Sequence, residues 1–388
     1  MEDHQYFMGM ELKYFKMKKT ISLLLLLTFS SLLGFSQTEF SEETQKYIAY
    51  RDAVIVFKNA LLIDGKGNPA KTNQTIMISN GKITWIGDDT DASPPKEAKI
   101  IDMNGRTLMP GLVMLHEHMY ISGHSFAPRM AHLKQTPVTF PRLYLGSGAT
   151  TIRTAGSIEP YSDLNLKMDI DEGKIPGPSM EVTAPYLERK GSFFAQMPRI
   201  ETPKDARAFV NYWADQGFTS FKGYMFLDKP SLQAAIDAVH ERNLKITAHL
   251  CAVTYREAAE MGIDQLEHGF YASSDFVEGK AENQCPPNLD PSLANLDVNS
   301  DEVRNLLQFL IDKKVIITST LAVMEGSIST QPEPCEELLS YFSPTNKEYY
   351  LNMLSRKNPP QAQRLTTVYL PTMPKWRRCF MIWGDCSL

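Results

Sequence analysis

Between residues 51 and 110 apolar and polar positions alternate in short runs separated by turn residues. Residues 53–57, 60–64, 75–79, 82–86, 99–103 and 107–108 read as strands. Gly65-Lys66-Gly67 marks a turn and Asn80-Gly81 a two-residue hairpin, so a small antiparallel sheet module is expected. From Gly111 the pattern changes to alternating strands and helices. Residues 149–153, 218–222, 245–249, 264–268 and 315–320 read as strands. Among them, Thr202 caps a helix that has Pro203 first and Phe209, Val210 and Trp213 on one face. Pro230 opens a helix reaching His240, Thr254-x-x-Glu257 is a capping box, and 301–314 form an amphipathic helix. Repeated βα units over more than 200 residues predict a parallel sheet, closed as a barrel or open and doubly wound. No glycine-rich dinucleotide fingerprint or P-loop follows any of these strands, which weighs against the open nucleotide-binding version.

The first 36 residues have the layout of an export signal. Lys18 and Lys19 follow Met17 and precede a 13-residue apolar run, 21–33, with small residues up to Ser36 and a cut expected near Ser36–Gln37. A bilayer span needs about 20 apolar residues, so the run is a signal rather than an anchor. Residues 1–16 read as an upstream extension. The mature chain is expected to be exported, periplasmic or secreted, with no stable membrane insertion after signal removal. A net charge of −5 over 388 residues removes nucleic acid from the partners expected. Five cysteines are too few for a disulfide scaffold, and the number is odd. Cys285 and Cys335 are the pair expected to join in an oxidising compartment, with Cys251 expected in packing.

Candidate chemistry gathers at strand ends. His116 and His118 are two apart on a strand and face one way, so both imidazoles can reach one metal. His249 and His268 end two further strands, and Lys222 holds the same relative place in another. In a βα barrel those ends form the active-site face. An ammonium among metal-binding imidazoles is a charge conflict. It is resolved if burial lowers the lysine pKa and the neutral amine takes up carbon dioxide, giving an anionic carbamate ligand. His124 and His132 fall where a lid loop could use them, while His240 near a helix C-terminus complements the helix dipole. Residues 273–300 are too long for a tight barrel loop and are expected to shape a substrate pocket.

The stretch Gly105-Arg-Thr-Leu-Met-Pro-Gly-Leu, then His116-x-His118, Lys222, His249 and His268 on successive strands, resembles the amidohydrolase superfamily, nearest its imidazolonepropionase-like and Xaa-Pro dipeptidase-like branch. The resemblance spans about residues 53–325. It implies an α/β fold, a (β/α)8 TIM-like barrel from 111 to 388, beside a small β-sandwich module at 51–110. It also implies one or two divalent metal ions, usually zinc. His116 and His118 would hold the first metal, carboxylated Lys222 would bridge, and His249 and His268 would hold the second. The resemblance asks for an Asp at the eighth strand as metal ligand and catalytic base, and Asp385 is the candidate. Arg153 and Tyr224 are the expected contacts for a substrate carboxylate or oxyanion.

The resemblance weakens at the chain end. Residues 355–388 hold six Lys or Arg against one acid and are interrupted by prolines, so truncation or a changed reading frame after about residue 355 is expected. The activity implied is metal-assisted hydrolysis of an amide, cyclic amide or dipeptide C–N bond, with a small molecule or dipeptide as substrate and homo-oligomerisation left open. The alternatives are a non-catalytic metal- or solute-binding protein on the same scaffold, and a mononuclear deaminase-like enzyme with unmodified Lys222.

Overall fold

The computed structural model describes residues 40–124, 131–191, 196–287, 289–320 and 334–355. The export signal, and Asp385 with the basic chain end, lie outside the described residues. A short helix α1 (Glu42–Gln45), capped by Ser41, precedes the first strand.

β1 (Val54–Leu62) runs antiparallel to β2 (Lys71–Ser79), which turns through Asn80-Gly81 into β3 (Lys82–Asp88). Asn80 and Gly81 have φ of 48° and 76°, the left-handed pair that a tight hairpin with native twist requires. β4 (Lys99–Asp102) and β5 (Thr107–Leu108) both pair with β1 in parallel. Two expectations are corrected here. Residues 53–57 and 60–64 belong to one strand with an irregularity between Phe57 and Ala60, where Asn59 takes a φ of 55° and donates its N–H to Asp89. The sheet is also mixed rather than antiparallel, because the chain crosses back to lie alongside β1 instead of meandering. All five strands form one sheet, and the second layer of a sandwich is not found among the described residues.

The remainder alternates strands and helices. β6 (Leu112–Glu117) is followed by an antiparallel ribbon of β7 (Tyr120–His124) and β8 (Ala131–Gln135), then α2 (Thr139–Gly146) and β9 (Ala149–Thr154). α3 (Pro160–Asp171) leads to β10 (Ser179–Glu181), which pairs with β9, and beyond Val182 the chain continues as β11 (Thr183–Leu187). Then come α4 (Pro203–Asp215), β12 (Ser220–Gly223), α5 (Lys229–Glu241), β13 (Lys245–Ala248), α6 (Tyr255–Glu260) and β14 (Gln265–Glu267). α7 (Leu289–Ala294), α8 (Asp301–Asp312), β15 (Ile316–Thr318), α9 (Glu336–Ser340) and α10 (Pro344–Ser355) complete the described chain.

Every pairing in the orders β10-β9-β6 and β11-β12-β13-β14-β15 is parallel, and a parallel bridge from Ser157 to Pro185 joins the two groups. This is an α/β wall consistent with a TIM-like barrel. β10 and β11, parted by Val182 alone, count as one wall strand, so the described residues supply seven positions of such a wall.

Alternation along the wall sets up the site. Ile152, Phe221, Ile246 and Leu266 are buried in one cluster with Val210, Leu232, Ile236 and Ala258 from α4, α5 and α6. Their neighbours Arg153, Lys222, Thr247, Gln265 and Glu267 therefore point to the opposite face, and all five are buried too. A parallel strand covered on both faces is normally apolar on both. Here one face is polar and charged.

Candidate metal centre

His116 is the penultimate residue of β6 and His118 lies one residue beyond its end, while His249 and His268 each follow directly on β13 and β14. The four rings form a chain: His118 to His116 at 5.2 Å between centroids, His116 to His268 at 4.6 Å, and His268 to His249 at 4.4 Å. His268 adopts the left-handed backbone, φ 71°, which a non-glycine residue rarely takes and which costs about 1–2 kcal/mol. That turn swings its ring off the end of β14 toward its two neighbours, and its Nδ1 meets Thr320 Oγ1 at 2.9 Å.

Lys222, 1% exposed, places its Nζ 5.5 Å from the Tyr186 ring and 5.9 Å from the Tyr224 ring, and Tyr224 in turn stacks edge-on to His249 at 5.0 Å. No hydrogen bond or ion pair to its ammonium is found among the described residues. Burial lowers its pKa to about 8, with Glu267 opposing the shift and Arg153 adding to it. Burial, followed by the charge of Lys222, also holds His118 and His249 down at about 3. His116 and His268 move in the same direction, again with burial as the first cause. The imidazoles are therefore neutral lone-pair donors at ordinary pH.

Among the described residues, no three His, Cys, Asp or Glu side chains are arranged to hold a metal ion as they stand. In kind, however, the donor set fits a divalent cation. It offers four neutral imidazoles, a buried His118 Nδ1 with no hydrogen-bond partner, and a buried amine whose pKa burial lowers to about 8.

Arg153, expected to greet a substrate, is already spoken for. Its Nη1 donates to Gln265 Oε1 at 2.6 Å, and Nη2 donates to the Leu115 carbonyl at 2.6 Å and to Glu267 Oε1 at 2.9 Å. Tyr224 borders the cluster through His249 and Lys222. His124 and His132 lie on the facing strands of the β7–β8 ribbon, and His240 bonds Asp264 at the surface at 3.0 Å. The expected Cys285–Cys335 pair is corrected: Cys251 and Cys285 form the disulfide, and Cys335 is free and exposed. The cause is the path of the 273–300 segment. It folds back over the loop after β13, where Lys280 Nζ donates to the Ala252 carbonyl at 2.7 Å and Asn283 Oδ1 accepts from Lys229 N at 2.8 Å.

Three participants escape the sequence reading. Tyr120 and Tyr186 join phenol to phenol beside the cluster, with Tyr120 4.7 Å from the His118 ring. Glu267, wholly buried, meets His116 Nδ1 at 2.7 Å. Its signal was present: a carboxylate two residues after Gln265 in a strand whose other face is buried apolar.

No protein-family model matches the sequence. The chain is similar to a dihydroorotase of Bacillus thuringiensis (strain Al Hakam), 26% identical over 198 residues that cover 50% of this chain and 41% of that one. It thus spans about two fifths of the length of such curated relatives. Among solved structures, it shares its fold with a Xaa-Pro dipeptidase that has methionine bound in its active site, at TM-score 0.52 and 14% identity, covering 84% of this chain and 89% of that one. A bottromycin amidohydrolase aligns at TM-score 0.53 and 16% identity, covering 84% and 66%.

Proposed function

We propose that the chain belongs to the amidohydrolase superfamily and is a metal-dependent hydrolase of a carbon–nitrogen bond in an amide, cyclic amide or dipeptide, a reading supported by its similarity to a dihydroorotase and by the fold it shares with a Xaa-Pro dipeptidase. The observation that supports this reading is the gathering of four neutral histidines and a buried lysine of lowered pKa at the ends of separate parallel strands.

His116, His118, His249 and His268 would hold one or two divalent ions, zinc being the first candidate for imidazole donors. Such an ion supplies Lewis acidity, bringing the pKa of water down toward 7 and polarising a carbonyl. The chain's own residues would contribute as follows. With a pKa near 8, Lys222 Nζ is partly a free amine at neutral pH and attacks the carbon of carbon dioxide. A new N–C bond forms, one proton leaves for solvent, and the carbamate supplies the negative charge that four imidazoles lack. Tyr224, whose ring lies against His249 and Lys222, is proposed to contact a substrate oxygen. Asp385 is the proposed general base, taking a proton from water and returning it to the leaving nitrogen. Export is proposed with it: the segment 1–36 has the signal layout, and a disulfide from Cys251 to Cys285 suits an oxidising compartment.

The test combines metal analysis of the purified full chain with a panel of dipeptides and cyclic amides. One or two equivalents of bound metal and turnover of a panel member are expected. Lys222→Ala should lower that turnover roughly 10³-fold or more, and carbon-13 bicarbonate should label Lys222. Full turnover without metal would overturn the proposal, and bound metal without any turnover would favour a binding protein on the same scaffold.

A further inference from the structure

We infer that Glu267 is a positioning residue: its carboxylate fixes the tautomer and ring orientation of His116, so that His116 presents the lone pair of Nε2 to the cluster. The inference rests on the proposed metal-binding role of His116, but it can be tested without metal.

Glu267 has no exposed surface, and each of its oxygens has a separate task. Oε2 faces His116 Nδ1 at 2.7 Å. Oε1 accepts from Arg153 Nη2 at 2.9 Å and from Thr247 Oγ1 at 2.6 Å. A carboxylate paired to a guanidinium has only lone pairs to offer, so the hydrogen between Glu267 and His116 must sit on Nδ1. A neutral imidazole carries one N–H, and placing it on Nδ1 leaves Nε2 as the lone-pair nitrogen. Imidazole-to-metal donors are commonly oriented in this way by a carboxylate on the far ring nitrogen.

The geometry also explains why this carboxylate is so firmly held. Arg153 from β9 grips Glu267, the Leu115 carbonyl beside His116, and Gln265. Gln265 passes the chain on to Thr318 of β15. Rotating the His116 ring would break a bond to a group anchored on β9 and β13 as well as on β14. A purely packing role would not require a carboxylate: an apolar side chain of similar volume, paired with loss of Arg153, would fill the same space.

The experiment uses full-length, metal-free protein with nitrogen-15 histidine, reading the ring nitrogens of His116 by long-range NMR correlation, and zinc ion affinity by chelator competition. The variants are Glu267→Gln and the double variant Arg153→Met with Glu267→Leu, which removes both buried charges together and so keeps a foldable core. Wild type should show His116 protonated at Nδ1. The double variant should show mixed tautomers and a zinc affinity lower by about 10–100-fold, and Glu267→Gln an intermediate loss. Protonation at Nε2 in the wild type, or an unchanged tautomer and zinc affinity in the folded double variant, would overturn the inference. If wild type binds no zinc at all, the metal-binding proposal fails, and the tautomer measurement still decides the role of Glu267.

Discussion

Glu188 is a wholly buried carboxylate that is only half satisfied. It follows β11, Oε1 accepts the N–H groups of Arg189 and Phe226 at 2.8 and 2.9 Å, and Oε2 has no partner. Burial, opposed by those two bonds, raises its pKa from 4.5 to about 7. In the unfolded chain the proton is lost near 4.5, whereas the folded protein keeps it to about 7. The folded state thus binds more protons across that window. Stability is fully present below the lower value, falls as pH rises through the window, and levels off above it. The loss is on the order of 3 kcal/mol. Asp163, raised to about 6 mainly by burial, acts in the same sense at slightly lower pH. Urea unfolding at pH 5 and pH 8 should show the decline, and Glu188→Gln should flatten most of it. An unaltered pH slope in that variant would assign the dependence elsewhere. None of this was readable from residue type, because a glutamate at a strand end is ordinarily solvated.

At the scale of elements, the features legible beforehand are those whose physics closes within four residues. The Thr202 cap, the Thr254–Glu257 capping box, the Pro-opened helices and the Asn-Gly turn all form as expected. In each the side chain meets its own neighbouring backbone. The disulfide was misassigned because cysteine pairing depends on distance in space. The Cα atoms of Cys251 and Cys285 lie 4.8 Å apart although 34 residues separate them. Closing a loop of that length stabilises by about 3–4 kcal/mol in the chain-entropy picture. Cys285→Ser is therefore expected to lower unfolding free energy by that order and to open the 273–300 segment to limited proteolysis. Equal protease resistance with and without the bond would show that Lys280, Asn283 and their partners hold the segment unaided.

At the scale of the whole molecule, a buried polar belt crosses the polar face of the parallel wall beside the histidines. Arg153, Glu267, Thr247, Gln265 and Thr318 tie β9, β13, β14 and β15 together, with the Leu115 carbonyl adding β6. Removing one charge strands the other in a low-dielectric interior, so Arg153→Ala should cost about 3–5 kcal/mol. The double variant Arg153→Met with Glu267→Leu should cost less than that single change, giving a non-additive cycle by denaturant unfolding. Additive losses would mean that the two groups are solvated independently. By itself the chain's pattern determined the succession of parallel strands and capped helices, and which histidines and lysine stand at strand ends, because period and capping are local properties. Only the tertiary structure decided that Arg153 turns inward to Glu267, that Tyr186 borders the lysine and Tyr120 the His118 ring, that the first sheet is mixed, and which cysteines meet. Each of those outcomes depends on which distant backbones come within a few ångströms of one another, and no short stretch of sequence carries that distance.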